Sequence, residues 1–409
     1  MRRWWLIFFC CLMLLLAEEA RAASPALPPT PQVTGKAAVL MDARNGQILY
    51  EKNADQPMYP ASTTKILTAI IALERSRLDE VVTVSRKATL VEGSAIGLQE
   101  GERVTMEDLL YALLLASAND AAVAIAENVA GSVPAFATLM NEKARSIGAK
   151  ESNFRNPNGL PDPQHYTTAH DLALIARYAM QNPTFRTIVS TRLKQIHRPD
   201  ADRSKGPPQE HLWNHNRLLS SYEGAIGIKT GYTVEAGQCL IAAARRGNRE
   251  LIAVIMKSQG AAVYSDARSL LDYGFSAFTP VKMVDRGEKI SSYSVTGGAE
   301  KVEVVAGNSL FVNLPAGREP SVERQVVMHR DLKAPITRGQ ELGELVITGE
   351  GKELGRVELV AANDVKVSAI RRWPVWLLGA LVLVVSLRLR KIMVRRRLRR
   401  QPRYLRYLR

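Results

Sequence analysis

The sequence reads Ser62-Thr63-Thr64-Lys65 where a helical pattern begins, and the fold prediction starts from this stretch. A three-residue separation on a helix places the serine hydroxyl and the lysine amine on one face, one turn apart. The pair offers a nucleophile beside a potential base. A lysine pKa of about 10.4 leaves little free amine at pH 7, so burial or a second cation must lower it. An isolated Ser-x-x-Lys is most often only a solvated helix start.

Two further polar segments lie at breaks in the surrounding pattern. Ser117-Ala118-Asn119 interrupts two helical segments, where short polar side chains can enter a cleft without disturbing an apolar stripe. Lys229-Thr230-Gly231 ends the apolar strand Ala225–Ile228 and supplies a second cation, a hydroxyl and a glycine that lets a substrate approach the backbone. Each is weak alone, as a helix break or a hairpin corner. In this order within one chain, the three segments indicate a shared active site.

The elements around these segments predict an α+β domain. Strands are expected at Lys36–Met41, Gln47–Tyr50, Ala225–Lys229, Gln238–Arg245 and Glu250–Met256. Helices are expected at Ser62–Arg75, Met106–Ala116, Ala121–Ala130, Pro134–Ile147, Ala169–Gln181 and Ala267–Phe278. Thr105 and Thr168, each followed by an Asp three residues later, are predicted N-caps. Because strands from both ends of the chain bracket the helices, one antiparallel sheet with a helical cluster is expected.

Residues 280–370 have a different character. Short alternating runs such as Val302–Val305, Val322–Met328 and Leu345–Thr348 are separated by glycines. They predict a separate, small all-β domain. It carries no cluster of His, Cys or acidic residues at ligand spacing, so a spacer or docking role is expected.

The first 22 residues have the features of a secretory signal peptide: Arg2 and Arg3, the apolar run Trp4–Ala17, and the small-residue cleavage pattern at Ala20-Arg21-Ala22. An uncleaved N-terminal anchor is the alternative. Residues 23–33 are a proline-rich linker, with four prolines between positions 24 and 32. A catalytic domain is expected at 34–279.

Cysteine usage fits this plan. Cys10 and Cys11 lie within the signal, which leaves Cys239 alone in the mature chain. A lone cysteine cannot form an internal disulfide, so Cys239, in an apolar strand-like stretch, is predicted to be a core residue.

The net charge of +15 is concentrated at the C-terminus. Residues 371–409 hold thirteen Lys or Arg and no Asp or Glu, which leaves +2 for residues 1–370 and argues against nucleic-acid binding. Residues 371–388 are predicted to form a transmembrane helix. Their uncharged run of fifteen residues, Trp373–Leu387, reaches only about 22 Å of the ~30 Å hydrocarbon core, and snorkelling arginines and interfacial tryptophans cover the remainder.

The basic tail, 389–409, is expected in the cytoplasm by the positive-inside rule, with the domains on the extracytoplasmic face. A helix lying in the membrane plane is the alternative.

Taken together, the three segments resemble the motif trio of the penicillin-recognising serine enzymes. The low-molecular-weight D-alanyl-D-alanine carboxypeptidases are the most similar group. The likeness covers Lys36–Phe278 at the level of motifs, and the β-rich domain with a C-terminal membrane element matches that family's plan. The supporting stretches are Pro60–Lys65, Asn156-Pro157-Asn158-Gly159-Leu160, Ile228–Thr233 and Ala236-Gly237.

The resemblance implies a β-lactamase/transpeptidase-like fold and a role for each motif residue. Ser62 would attack the carbonyl between two D-alanines, Lys65 would accept its proton, and Ser117 would relay that proton to the leaving D-alanine. Asn119 would bind the substrate amide and orient Lys65. The strand residues would bind substrate: Lys229 and Thr230 the terminal carboxylate, Gly231, Tyr232 and Thr233 the peptide, with the backbone N–H groups of Ser62 and Tyr232 as the oxyanion hole.

The resemblance also defines the partners: a peptidoglycan stem peptide ending in D-Ala-D-Ala, β-lactam antibiotics as covalent inhibitors, and the membrane. It implies no cofactor and no metal, and His165 and His170 near the inferred cleft lack metal-ligand spacing. One departure concerns carboxylate recognition. In such enzymes an Arg often lies shortly after the strand that follows Lys-Thr-Gly. Here Ser258–Asp266 contains no Arg, and Lys257 and Arg268 are the candidates to replace it.

Two other functions fit the sequence less well. A β-lactamase would need a well-placed Glu for rapid deacylation, and no Glu-x-x-Leu-Asn run occurs. A non-catalytic wall-binding scaffold would show erosion of one motif, and all three are intact.

Overall fold

The structure, a computed structural model, describes residues 28–317, 322–329, 331–349, 351–368 and 373–399. The predicted signal peptide, the start of the linker, the first two residues of the predicted transmembrane helix and the end of the basic tail lie outside these residues. The chain divides into two compact units. The first comprises Met1–Val281 and Val312–Ser321, and the second comprises Lys282–Phe311 and Val322–Arg409.

The first unit contains a five-stranded antiparallel sheet built from both ends of the unit, as predicted. Its strands are β1 (Ala37–Asp42), β2 (Ile48–Lys52), β7 (Ala225–Thr233), β8 (Gly237–Arg246) and β9 (Arg249–Ser258), in the order β2-β1-β9-β8-β7. Side chains of β1 alternate between two apolar clusters. Val39 and Met41 pack with the helical cluster, and Ala38 and Leu40 pack against helix Ala262–Ala277 on the opposite face. Both faces of the sheet are therefore covered, and β7 lies at one edge.

The helices of the first unit are α1 (Lys65–Arg75), α2 (Arg86–Thr89), α3 (Met106–Leu114), α4 (Asn119–Ala130), α5 (Val133–Ile147), α6 (Ala169–Ala179), α7 (Pro183–Ser190), α8 (Leu218–Ser221) and α9 (Ala262–Ala277). Six of them lie close to predicted positions, and three short ones, α2, α7 and α8, were not predicted. Both predicted N-caps are confirmed, since the Thr105 hydroxyl accepts the Asp108 N–H at 3.2 Å and the Thr168 hydroxyl accepts the Asp171 N–H at 3.0 Å. Two short antiparallel pairs complete the unit: β3 (Val81–Thr83) with β4 (Arg103–Thr105), and β5 (Leu193–Gln195) with β6 (His211–Trp213).

Two local predictions need correction. The helix expected from Ser62 begins with a 3-10 turn, Ala61–Thr64, and becomes α-helical only at Lys65. Lys229-Thr230-Gly231 does not end a strand but lies within β7, which continues to Thr233 because its backbone pairs with β8 as far as Gly237. Cys239, in contrast, is a buried free thiol in β8, as predicted.

The second unit is rich in β structure, as predicted for residues 280–370. Its strands β11 (Lys289–Tyr293), β12 (Val302–Ala306), β14 (Val322–Met328), β15 (Glu341–Gly349) and β16 (Lys352–Ala361) form one sheet in the order β11-β12-β16-β15-β14. Two more strands, β10 (Phe278–Val284) and β13 (Leu310–Pro315), lie where the chain passes between the units. Val302, Val304, Ile347 and Leu359 are among its fully buried side chains.

The described part of the C-terminus forms one helix, α10 (Trp373–Arg399). Its apolar side chains, from Trp376 to Val394, are exposed. A search of the described residues finds no single helix with both the length and the apolar character that a membrane span requires. Helices α4 and α5 meet those criteria only as a pair, bent by 84°.

Candidate active site

The Lys65 amine is the centre of the candidate site. Lys65 is fully buried at the start of α1, and its Nζ lies 2.9 Å from Ser62 Oγ in the preceding 3-10 turn. Nζ also lies 2.7 Å from Asn119 Oδ1 and 2.7 Å from the carbonyl oxygen of Asn158. Three distant parts of the chain therefore meet at one nitrogen atom: the motif order predicts the contact with Asn119, but not the contact with Asn158.

The partners of Lys65 Nζ determine where its lone pair points when the amine is neutral. The Asn158 carbonyl oxygen can only accept a hydrogen bond. Asn119 Oδ1 is fixed as an acceptor too, because its Nδ2 donates to the Glu92 carbonyl oxygen at 2.6 Å. A neutral amine has two N–H groups, and these two oxygens use both. The remaining lone pair faces the Ser62 hydroxyl, which is the geometry of a general base.

Burial and a neighbouring cation favour the neutral amine. Burial is the larger cause that holds the pKa of Lys65 well below its ordinary value of 10.5, and the Lys229 ammonium lowers it further. Asp120 acts in the opposite direction and raises it. Lys229 is itself only 1% exposed, and burial lowers its pKa to about 7. Two buried amines that interact electrostatically cannot both carry a full charge at low cost.

The first turn of α4 is held by a loop at residues 92–98. The Asn119 N–H donates to the Ser94 carbonyl at 2.6 Å, and the Asp120 carboxylate accepts the N–H groups of Ile96 and Leu98 at 3.1 and 3.0 Å. Ser117, 6% exposed, has a left-handed backbone with φ of 60°. An unusual backbone of this kind in a serine often marks a functional position.

Strand β7 forms the other wall of the candidate site. A Cβ added at Gly231 would lie 2.9 Å from the Ser62 nitrogen and 3.1 Å from the Thr63 nitrogen, so only glycine fits this approach. Lys229 Nζ donates to the Thr230 carbonyl at 2.9 Å. Tyr232 is 60% exposed beside this contact, and Thr233 Oγ1 accepts the Ala236 N–H at 3.1 Å.

The predicted residues thus fall into two groups. Ser62, Lys65 and Asn119 are hydrogen-bonded together. Among the described residues, the side-chain hydroxyls of Ser117 and Thr230 form no hydrogen bond to Ser62 or Lys65. They lie in the segments that carry Asn119 and Lys229.

Comparison with known proteins identifies the family of the chain. A family described as D-alanyl-D-alanine carboxypeptidase matches residues 21–260, and a second, described as penicillin-binding protein 5, C-terminal domain, matches residues 278–367. The chain belongs to the D-alanyl-D-alanine carboxypeptidase family. The resemblance inferred from the three motifs is therefore confirmed, as is the α+β fold followed by a β domain.

Several members of the family are similar over most of this chain. D-alanyl-D-alanine carboxypeptidase DacF of Bacillus subtilis is 33% identical, over 81% of this chain and 86% of the relative. DacA of Haemophilus influenzae is 32% identical, over 82% and 86%. The crystal structure of penicillin binding protein 5 from Haemophilus influenzae aligns with a TM-score of 0.70 at 30% identity, covering 83% of this chain and 99% of that one.

No sequence pattern assigned a role to the loop at residues 156–160, which supports the 3-10 turn Ala61–Thr64 that carries Ser62, here called the nucleophile turn. A Cβ at Gly159 would lie 1.9 Å from the Ala61 carbonyl oxygen, so this loop packs directly on the turn. His165, 1% exposed, accepts the Arg155 N–H on Nδ1, which leaves Nε2 to donate to Thr64 Oγ1 at 3.0 Å. Burial lowers the pKa of His165 to about 4, so the ring is neutral at pH 7. Its two hydrogen bonds connect the backbone at Arg155 to Thr64 in the turn.

The residues considered for carboxylate recognition lie apart. Lys257 lines a cavity near the end of β9 that neither Lys229 nor Thr230 lines, so it is not grouped with the two residues expected to bind the carboxylate; Arg268 is exposed on α9. His215, which no sequence motif indicated, lies near Lys229. Partial burial first, and then the Lys229 ammonium, lower the pKa of His215.

Proposed function

We propose that this chain is a serine D-alanyl-D-alanine carboxypeptidase that removes the terminal D-alanine from peptidoglycan stem pentapeptides through an acyl-enzyme on Ser62. The observation that supports it best is the hydrogen bonding of Lys65 Nζ. When the amine is neutral, two carbonyl oxygens take its N–H groups and leave the lone pair for the Ser62 hydroxyl. The family of the chain supplies the substrate class.

Acylation transfers one proton and breaks one peptide bond. Ser62 Oγ attacks the carbonyl carbon between the two D-alanines while its proton passes to Lys65 Nζ. The negative charge on the carbonyl oxygen is stabilised by the N–H groups of Ser62 and Tyr232, whose strand is held close to the turn at Gly231. When the C–N bond breaks, the departing amine takes the proton from Lys65 through the Ser117 hydroxyl.

Lys229 connects substrate binding to the activation of Lys65. A terminal carboxylate bound near Lys229 and Thr230 would raise the pKa of Lys229 above its value of about 7 and keep it charged. That charge in turn holds the pKa of Lys65 low. The free amine is therefore favoured most when a substrate with a free carboxylate is present.

Water then hydrolyses the acyl-enzyme, with Lys65 as the base, and releases the shortened peptide. A β-lactam would follow the same first step. Its amide carbonyl is attacked by Ser62, but its leaving nitrogen stays tethered to the acyl group. Penicillins are therefore proposed as covalent inhibitors.

Release of D-alanine from a synthetic pentapeptide tests this function. Ser62→Ala and Lys65→Ala should abolish release, and Lys229→Ala should impair it. Ser276→Ala, which removes an exposed hydroxyl of α9, is the matched control and should leave release unchanged. Release that persists in Ser62→Ala would refute the nucleophile. Rapid turnover of penicillin by the unmutated chain would indicate a β-lactamase instead, and the absence of covalent labelling a non-catalytic scaffold.

We further propose that the chain is exported and anchored on the extracytoplasmic face of the bacterial membrane by its C-terminal helix, with the basic tail in the cytoplasm. The uncharged run 373–387, the exposed apolar side chains of α10 and the eleven basic residues after Leu387 support this proposal. Spanning is favoured over lying in the membrane plane because the apolar run has no polar face.

Flotation with vesicles that contain anionic lipid tests the anchor. Leu381→Asp combined with Val385→Asp should release the protein from the vesicles. Leu90→Asp combined with Val327→Asp, at exposed apolar positions outside α10, is the matched control and should not. Equal flotation of both double variants would contradict the anchor. Protection of the tail from protease added outside intact cells tests its orientation.

A further inference from the structure

A cavity of about 400 Å³ opens beside the nucleophile turn. Tyr59, one of its lining residues, is followed by Pro60 and then by the turn that carries Ser62. Glu235, another lining residue, lies in the connection between β7 and β8, two residues after Thr233. The cavity therefore adjoins both walls of the candidate site. None of its lining residues takes part in the mechanism proposed above.

The orientation of the bound substrate rests on the proposed function. It places the residues that precede the two D-alanines near this cavity. With the terminal carboxylate near Lys229 and Thr230 and the reacting carbonyl at Tyr232, the preceding residues of the peptide run past Thr233. An extended chain advances about 3.3 Å per residue. The residue before the two D-alanines, the third of the stem peptide, then lies about one to two residues beyond the reacting carbonyl. That position is level with the connection that holds Glu235.

The charged groups of the cavity are of both signs. Glu235, Lys36 and Lys257 line it, and all three are exposed at its mouth. Neither Glu235 nor Lys257 forms an ion pair with any other described residue, so both are available to a ligand. Two lysines against one glutamate disfavour a side chain that carries only an ammonium. A side chain that carries both an ammonium and a carboxylate complements them.

The remaining walls suit an extended aliphatic side chain. Met58, Tyr59 and Tyr166 contribute apolar surface. They are held in register because the backbone of Met58 pairs with Thr167, with N···O distances of 2.8 and 3.0 Å. The cavity can therefore bury several methylene groups between its charged residues.

The backbone of Lys257 supplies an independent indication. Its φ of 53° is in the left-handed region, which is unfavourable for a long side chain by about 1 kcal/mol or more. A Cβ at the neighbouring Gly237 would lie 3.4 Å from Lys257 Cγ, so the lysine stem lies directly along this glycine. An irregularity in the pairing of β8 with β9, between Gln238 and Leu240, accompanies this conformation. The chain thus maintains an unfavourable backbone at a lysine that lines the cavity.

We propose that this cavity binds the side chain of the third residue of the stem peptide, and that this residue is a diamino dicarboxylic acid. Its distal ammonium pairs with Glu235 and its distal carboxylate pairs with Lys257. A stem peptide with lysine at this position would leave Lys257 without a partner. The cavity would then select between the two chemical classes of stem peptide.

Three substrates test the proposal: pentapeptides that differ only in having meso-diaminopimelate or L-lysine at the third position, and N-acetyl-D-Ala-D-Ala, which lacks that residue. The kcat/KM of the unmutated chain should be higher for the diaminopimelate peptide. Lys257→Met should lower that value by about fivefold, as expected for one exposed ion pair, and leave the lysine peptide unchanged. Glu235→Gln should lower the values for both pentapeptides.

The short substrate and a control variant separate this proposal from the catalytic assignment. N-acetyl-D-Ala-D-Ala should be hydrolysed equally by all variants, because it does not reach the cavity. Lys150→Met, at an exposed position after α5, should change none of the three values. An unaltered preference in Lys257→Met, or an equal loss on the short substrate, would overturn the proposal. Failure of the unmutated chain to hydrolyse any substrate would instead refute the proposed function.

Discussion

Replacing Gly231 by alanine tests how closely β7 must approach the nucleophile turn. The added Cβ would lie 2.9 Å from the Ser62 nitrogen, 3.1 Å from the Thr63 nitrogen and 3.2 Å from Ala61 Cβ. Ordinary van der Waals contact begins at 3.4 Å, so the two backbones must separate by about 0.5 Å. The φ of Gly231 is not in the left-handed region, so the expected effect comes from this separation rather than from backbone strain.

The separation acts on the proposed oxyanion hole. Its two donors, the N–H groups of Ser62 and Tyr232, lie on the two backbones that are pushed apart. A donor moved by half an ångström from an ideal hydrogen-bond distance of about 2.9 Å contributes little. Losing one such donor lowers kcat by about 10²–10³-fold, equivalent to about 2.7–4 kcal/mol. The same crowding is expected to lower the free energy of unfolding by about 1–3 kcal/mol.

The assay is the rate of acylation by a fluorescent penicillin, together with kcat for D-alanine release. Gly231→Ala should slow both by about a hundredfold at a temperature where circular dichroism shows the variant folded. Gly379→Ala adds the same methyl group where no atom lies within 4 Å and should change neither rate. Acylation of Gly231→Ala within threefold of the unmutated rate would refute the assignment of these backbones as the oxyanion hole.

Four further predictions follow from the structure. Lys65→Arg keeps the charge but cannot release a proton near neutral pH, so penicillin acylation should fall by about 10²–10⁴-fold in stopped-flow or gel assays. Asp120→Asn removes the charge that raises the pKa of Lys65, so the acidic limb of the acylation profile should move to lower pH; movement to higher pH would contradict the sign. His165 has a pKa of about 4 in the folded chain, so the unfolded chain binds more protons between pH 6.5 and 4. As the pH is lowered from 6.5 to 4, the free energy of unfolding should therefore fall by about 3 kcal/mol, measured by denaturant titration. The fall should be smaller in His165→Gln. Arg198→Met leaves the fully buried Glu102 without its partner and should cost about 3–5 kcal/mol, part of which Glu102→Leu in the same chain should restore.

The elements of the first unit could be predicted because their signals are local. Apolar periodicity defines α3, and the threonine caps at 105 and 168 define where α3 and α6 begin. Helix α7 was missed although its signals are also local. Asn182 caps it and Pro183 occupies its first turn, but the helix has only eight residues and therefore little periodicity.

Long-range features could not be predicted from the sequence. The contact of Lys65 with the Asn158 carbonyl is made by backbone, so no side-chain pattern reports it. Arg198 and Glu102 are 96 residues apart and form a fully buried pair, whereas charged residues in a sequence are expected at the surface. The extension of β7 beyond Lys229 was missed because its last residues are polar, and their hydrogen bonds to β8 stabilise the strand instead.

Peptide mapping by mass spectrometry after incubation with penicillin tests the central claim most directly. The account predicts one mass increment per chain, equal to intact penicillin, on the peptide that contains Ser62. It also predicts no increment in Ser62→Ala, while Ser276→Ala is labelled like the unmutated chain. An increment on any other residue, or no increment on a folded chain, would contradict the assignment of Ser62 and Lys65 as nucleophile and base.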